Sequence, residues 1–164
     1  MAKRTIELLG AEVLRKPAKP VSELDDELRS LIDDMYETMR HAEGIGLAGP
    51  QIGESRRVVV IEALDEESEP LALVNPQVVE SSKEVERAEE GCLSLPGLTA
   101  VVERPARVTV EAVDPQGEPL RIEADDLLAR VLQHEIDHLD GILILDKVSP
   151  LKRRMLLRKW KKRT

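Results

Sequence analysis

Apolar positions recur at three- and four-residue spacing through Leu24, Leu28, Leu31, Ile32, Met35 and Met39. This is the pattern of a helix that buries one face. Ser22-Glu23-Leu24-Asp25 reads as its start, and the helix should end near Gly44. Ahead of it, Pro17 and Pro20 forbid a long helix in residues 1–21 and favour an extended arm wrapped over the surface. Strand patterns follow over Arg57–Ala63, Leu71–Val74, Gln77–Glu80, Lys83–Ala88, Thr99–Glu103, Arg107–Val113 and Leu120–Ala124. A turn, Asp114-Pro115-Gln116-Gly117-Glu118-Pro119, joins the last two.

A second helical pattern runs from Asp126 to Leu139. Leu127, Val131, His134 and His138 form one stripe, with Leu128, Leu132 and Leu139 beside it, so both histidines share the face that seeks the core. Ser149-Pro150 reads as the cap and first turn of a last helix over Leu151–Arg163. Short strands separated by turns, with no βαβ alternation, predict an α+β fold. Antiparallel sheets would pack around the 126–139 helix, with a long helix in the N-terminal half and another at the C-terminus.

The segment Gly44-Ile45-Gly46-Leu47-Ala48-Gly49-Pro50-Gln51-Ile52-Gly53 fits no regular element. It reads either as a tight connector or as backbone that comes close to a ligand. The run Asp65-Glu66-Glu67-Ser68-Glu69 reads as a solvated loop.

Composition narrows the picture. A chain of 164 residues, 41% apolar, fits one domain spanning 1–164. With no Phe, one Tyr and one Trp, the core must be aliphatic. The net charge of −8 argues against a general nucleic-acid coat, but it is unevenly spread: residues 152–164 hold eight Lys or Arg and no acid, which leaves −16 on the rest. The single cysteine, Cys92, excludes an internal disulfide, and Met1-Ala2-Lys3-Arg4 leads into no apolar signal region. A reducing cytosol is the simplest home, and no apolar run approaches the ~20 residues of a membrane span.

The chemistry is concentrated in Gln133-His134-Glu135-Ile136-Asp137-His138. Residues i and i+4 of a helix lie on one face, so His134 and His138 can address one metal ion. The same spacing also fits one core and one surface histidine with no metal. His41 has no partner in the sequence and reads as a surface residue. Cys92, in Glu89-Glu90-Gly91-Cys92-Leu93-Ser94-Leu95-Pro96-Gly97, a loop between predicted strands, is either a small buried hydrophobe or a third ligand. A thiolate and two imidazoles with a fourth position open would make a catalytic rather than a closed structural site.

Gly44–Gln51, Glu90–Pro96 and Gln133–Leu139, with the Val13-Leu14-Arg15 arm and the basic last helix, resemble the peptide deformylases in order and separation. The resemblance covers essentially the whole chain. It implies a metal-dependent hydrolase that removes the formyl group from N-formylmethionyl peptides and releases formate. It implies metal ligands at Cys92, His134 and His138, a general base at Glu135, and oxyanion donors in the Gln51 side-chain amide and the Leu93 N–H. Gly46 N–H is implied to meet the formyl oxygen or the nearby peptide. The donor set alone would favour zinc, whereas the resemblance implies Fe(II), with Zn, Ni or Co possible. Ile45, Val131 and Leu132 are expected to line a pocket for the Met side chain, with the peptide adding to a sheet edge.

Gly49 stands where the resembling motif has Ala, and is expected to cost up to ~1 kcal/mol in backbone freedom. The helical end implies the bacterial-type branch, in which the basic helix docks on the ribosome. Its alternative is a packing helix with Met155, Leu156 and Trp160 inward. The chain is expected to be a cytoplasmic monomer. Two other functions fit the residues: a zincin-like metallopeptidase with Asp146 as third ligand, and a non-catalytic ribosome- or peptide-binding module.

Overall fold

The computed structural model describes residues 2–163. In chain order it contains helix α1 (Asp26–His41), strands β1 (Gly46–Ala48), β2 (Val58–Ile61), β3 (Leu71–Ser81), β4 (Val85–Gly91), β5 (Thr99–Pro105), β6 (Arg107–Val113) and β7 (Pro119–Asp125), and helices α2 (Asp126–Leu139) and α3 (Pro150–Arg163). Short 3-10 turns cover Glu12–Arg15, Gly49–Ile52 and Ile144–Lys147. One sheet has the order β1-β2-β3-β6-β7; β4 and β5 form a second, two-stranded sheet. All the strand pairs are antiparallel, which gives the predicted α+β class.

Strand periodicity explains how the large sheet is covered on both faces. Along β2, Val59 and Ile61 face one way and pack with Val131, Leu132, Ile136 and Leu139 of α2. Val58 and Val60 face the other way, against Leu28, Leu31, Ile32, Met35 and Met39 of α1. The third cluster joins Leu95, Leu98, Ala100 and Val102 to Ile144, Leu145 and Leu156 of α3, and so ties the β4–β5 sheet to the C-terminal helix.

Helix α1 begins where its cap chemistry dictates. The Asp25 carboxylate accepts the Leu28 N–H at 2.9 Å, and Asp26 and Glu27 occupy the first turn, where the helix dipole favours acids. The N-terminal arm is extended apart from one short turn. It is held by Ala18 N–H donating to the Leu139 carbonyl and by Asn75, whose side chain bonds both the N–H and the C=O of Val21.

Several expectations need correction. Gly44–Gly53 is not free of regular structure, because Gly46–Ala48 pairs with Val59–Ile61 as β1. The predicted strands 71–74 and 77–80 are one strand, carried past Pro76 by a register shift at Asn75, whose φ is 53°. Glu89–Gly91, read as loop, completes β4. Leu127, placed on the buried stripe of α2, is 49% exposed. In α3, Leu156 is buried and Trp160 half-buried, but Met155 faces solvent.

Gly49 is also more than a source of freedom. A Cβ there would lie 2.6 Å from the Arg56 carbonyl oxygen and 2.8 Å from that of Glu54. The bare α-carbon is what lets the 54–56 backbone cross so close.

Candidate active site

Helix α2 brings His134 and His138 to one face, and the turn after β4 brings Cys92 to the same point. The Cys92 sulfur and one nitrogen of each histidine all lie within 4.8 Å of one another. Cys92 Sγ is 3.3 Å from His138 Nε2. His138 is 1% exposed and His134 8%, while Cys92 is half-buried, so the cluster sits at the inner end of a cleft of about 520 Å³. Its chemistry suits a divalent cation: a soft thiolate and two imidazoles converge from two elements, and one side stays open to the cleft. Asp146 lies outside it, since that carboxylate bonds Arg15 and the Leu143 N–H.

Glu135 follows His134 on α2 but is not part of the cluster. It is buried at 4% exposure, its Oε1 has no hydrogen-bond partner among the described residues, and burial pushes its pKa up to about 7. Its other oxygen lies against Gly46, where a Cβ would come within 2.6 Å of Oε2. Glycine in β1 therefore makes room for this carboxylate.

The backbone of β1 also matters. Glu62 N–H donates to the Ile45 carbonyl, and the alternation of an antiparallel ladder then turns the N–H and C=O of Gly46 away from β2. β1 is an edge strand, and Gly44, Ile45 and Gly46 line the cleft. Two residues on, Ala48 N–H likewise faces away from β2 and donates to Gln51 Oε1 at 3.0 Å. That bond fixes the amide orientation. Gln51 Nε2 consequently points at Ser94 Oγ, 3.2 Å away, and at Cys92 Sγ, 3.7 Å away. Leu93 lines the cleft, and its N–H has no hydrogen-bond partner among the described residues. Ile45, Val131 and the exposed Leu127 line the cleft as well. Leu132, expected there, is instead fully buried in the core beneath the large sheet, because its position on α2 points at β-strand side chains.

Around the cluster lies a charged network that the sequence reading did not identify. Glu90 accepts from His134 Nδ1 at 2.9 Å, from Arg104 Nε at 2.6 Å and from Arg130 at 2.6 Å; Arg104 also reaches Asp137 at 2.8 Å. Burial opposes ionisation of Glu90, but the bonds from His134 and Arg104 outweigh it and bring its pKa to about 2. A carboxylate fixed on Nδ1 leaves Nε2 of His134 for the cluster and orients the ring. Among the described residues His138 has no such partner: its Nδ1 is buried without a hydrogen bond, and burial, followed by nearby His134 and Arg104, depresses its pKa well below the usual value. A neutral imidazole is the form that binds a metal. His41 is exposed and meets Lys3.

An α+β fold with a buried carboxylate beside a Cys-His-His cluster, at the end of a cleft edged by open backbone, defines a metallohydrolase-type site. The family profile described as polypeptide deformylase matches residues 3–154, and the chain belongs to that family. It is 50% identical over 152 residues to the peptide deformylase of Thermodesulfovibrio yellowstonii, covering 92% of each. Over 163 residues it is 49% identical to that of Chromohalobacter salexigens, covering 99% of this chain and 96% of the other. Among solved structures, the peptide deformylase of Legionella pneumophila superposes with a TM-score of 0.93 at 49% identity, covering 98% of this chain and 95% of that one. The Ehrlichia chaffeensis enzyme in complex with actinonin gives 0.94 at 37% identity, covering 99% and 98%.

Proposed function

We propose that this chain is a hydrolase that removes the formyl group from N-formylmethionyl polypeptides, releasing formate and a free N-terminal Met, with residues 1–164 acting as one catalytic unit. The observation that carries the reading is the convergence, at one end of the cleft, of the Cys92-His134-His138 cluster, the buried Glu135 and the Gln51 amide.

Cys92, His134 and His138 would hold one divalent ion. When bound, such an ion polarises the carbonyl and makes water acidic near neutral pH. Glu135 takes the proton of the attacking water and passes it to the leaving amine, a role suited to a carboxylate whose pKa is about 7. The oxyanion is met by the Gln51 Nε2 donor, oriented through Ala48, and by the unpartnered Leu93 N–H. Gly46 offers its edge-facing N–H to the formyl end or first peptide unit. Ile45, Val131 and Leu127 supply apolar wall for the Met side chain. Fe(II) is the ion we assign, with Zn, Ni or Co as the other candidates; elemental analysis of anaerobically purified protein decides among them. A formyl-Met decapeptide tests the reaction by mass spectrometry: loss of the formyl group alone supports it, and cleavage of internal bonds overturns it in favour of a peptidase.

No helix among the described residues is long and apolar enough to cross a membrane, which is consistent with work in the cytoplasm on nascent chains. A light-scattering mass near 18.3 kDa would match the monomer we assign. Helix α3 packs through Leu156, Leu157 and Trp160, and its Arg154, Arg158 and Lys159 are exposed. This arrangement supports docking on ribosomal RNA phosphate. Changing these three to Glu preserves the packing and should abolish salt-sensitive cosedimentation with ribosomes; unchanged cosedimentation would refute the docking role.

A further inference from the structure

The first residues of the N-terminal arm are held in place without contributing to the core. No residue of 2–9 is buried, and Leu9 alone among them packs at the edge of a hydrophobic cluster. Polar bonds do the holding. Ala2 N–H and Arg4 Nε donate to the two oxygens of Asp34, at 2.7 and 3.0 Å, and the Arg4 N–H donates to Thr38 Oγ1 at 2.8 Å. Asp34 and Thr38 are buried positions of α1. A helix that spends a buried carboxylate and a buried hydroxyl on a surface arm fixes where that arm runs.

Anchored on α1, the arm reaches the oxyanion donors from behind. Arg4 bonds Glu54 Oε1 at 3.1 Å, just past the Gly49–Ile52 turn. Glu7 N–H then donates to the Gln51 carbonyl at 2.7 Å, and Leu9 N–H to the Ser94 carbonyl at 3.0 Å. In an extended chain N–H groups two residues apart point the same way, so one short stretch grips both carbonyls. Gln51 and Ser94 are 1% and 0% exposed and lie 43 residues apart in the chain. One stands in the turn that carries the Gln51 amide, the other in the loop that carries Cys92 and Leu93.

That spacing matters to the chemistry. A side-chain amide has two N–H groups, and Gln51 Nε2 gives one to Ser94 Oγ at 3.2 Å, which leaves the second for an oxyanion. Where the second points depends on how the turn stands relative to the loop, and displacements of about 1 Å at a reacting centre cost on the order of 10²-fold in rate. Resting on the deformylase reading, we propose that the N-terminal arm is a strap that positions the oxyanion donors: the N–H groups of Glu7 and Leu9 hold the Gln51 and Ser94 carbonyls, and with them the distance between the Gln51 amide and the Leu93 N–H. Glu7 and Leu9 are positioning residues, which act through Gln51 and touch no substrate.

The test removes one N–H. Glu7→Pro deletes the donor and Glu7→Ala keeps it, while Leu8→Pro controls for proline itself, because the Leu8 N–H has no hydrogen-bond partner among the described residues. In formate release by the metal-loaded proteins, Glu7→Pro should lose about tenfold in kcat with little change in KM, a part of the ~10²–10³-fold that one oxyanion donor is worth. Glu7→Ala and Leu8→Pro should match the unaltered protein. In a Gln51→Ala background the loss from Glu7→Pro should vanish, since the group it positions is gone. Hydrogen exchange gives a readout independent of turnover: the Ala48 N–H, which donates to Gln51 Oε1, should exchange faster in Glu7→Pro than in Glu7→Ala. Should Glu7→Pro fail to fold, Asp34→Asn loosens the strap at its anchor instead, and its loss in kcat should likewise disappear with Gln51→Ala. Equal kcat in Glu7→Pro and Glu7→Ala, or a loss that persists undiminished without the Gln51 amide, would overturn the strap while leaving deformylation intact. Failure of the unaltered protein to release formate would overturn the deformylase reading, and the strap with it.

Discussion

Glu135→Gln protein should hold as much metal as the unaltered chain and lose roughly 10³-fold or more in kcat, within the upper range for a general acid–base. The position of the carboxylate decides both outcomes. Glu135 is outside the Cys92-His134-His138 cluster, and its two oxygens face Gly46 and unpartnered space, so the amide fits without disturbing a ligand. It also cannot take up a proton as the carboxylate does. Stability adds a second readout with a definite sign. The folded pKa of about 7 lies above the ordinary value of 4.5, so the ionised form is disfavoured in the folded state. This penalty is absent below the unfolded pKa and grows as pH rises through the window toward 7. The neutral amide removes it, and the Tm of the variant at pH 8 should equal or exceed that of the unaltered protein. A loss of metal parallel to the loss of turnover would make Glu135 a structural residue instead.

His138→Ala should lose metal and activity together. The imidazole is buried at 1% exposure, and its Nε2 lies 3.3 Å from Cys92 Sγ, so truncation leaves two donors where three converge. Because metal binds the folded site and not the unfolded chain, the unaltered protein should lose thermal stability on chelation, while the variant should already sit at the chelated Tm. Asp146→Ala is the control. It removes the Arg15 ion pair and should leave metal content unchanged. Retention of stoichiometric metal by His138→Ala would remove this residue from the ligand set.

Much of the fold was legible because it follows from local periodicity. The apolar stripe of α1, the alternation in Arg107–Val113 and the Asp126–Leu139 pattern coincide closely with the observed elements. What escaped depends on distant partners. β1 is a three-residue strand that exists because Val59–Ile61 pairs with it, and β3 stays whole because Asn75 is anchored to Val21 across 54 residues. Exposure of Leu127 likewise reflects the cleft it borders and not the helix that carries it.

The site divides along the same line. Cys92, His134, Glu135, His138 and Gln51 stand in segments whose residue types announce chemistry. Glu90 and Asp137 stand in the same segments, but their partnership with Arg104 and Arg130 does not show there, since each charge finds its counterpart on another element. A signal was nevertheless present. Ala88 and Glu90 fall on one face of β4, as do Ala100, Val102 and Arg104 on β5. An acid and a base at inward strand positions demand each other, because a buried charge is tolerated only when paired.

Formate release tests the deformylase activity most directly. Anaerobically prepared protein, loaded in turn with Fe(II), Ni(II) and Co(II), should convert formyl-Met-Ala-Ser to one equivalent of formate and free Met-Ala-Ser, and chelation should stop it. Absence of formate with all three ions, from folded protein carrying stoichiometric metal, would contradict it.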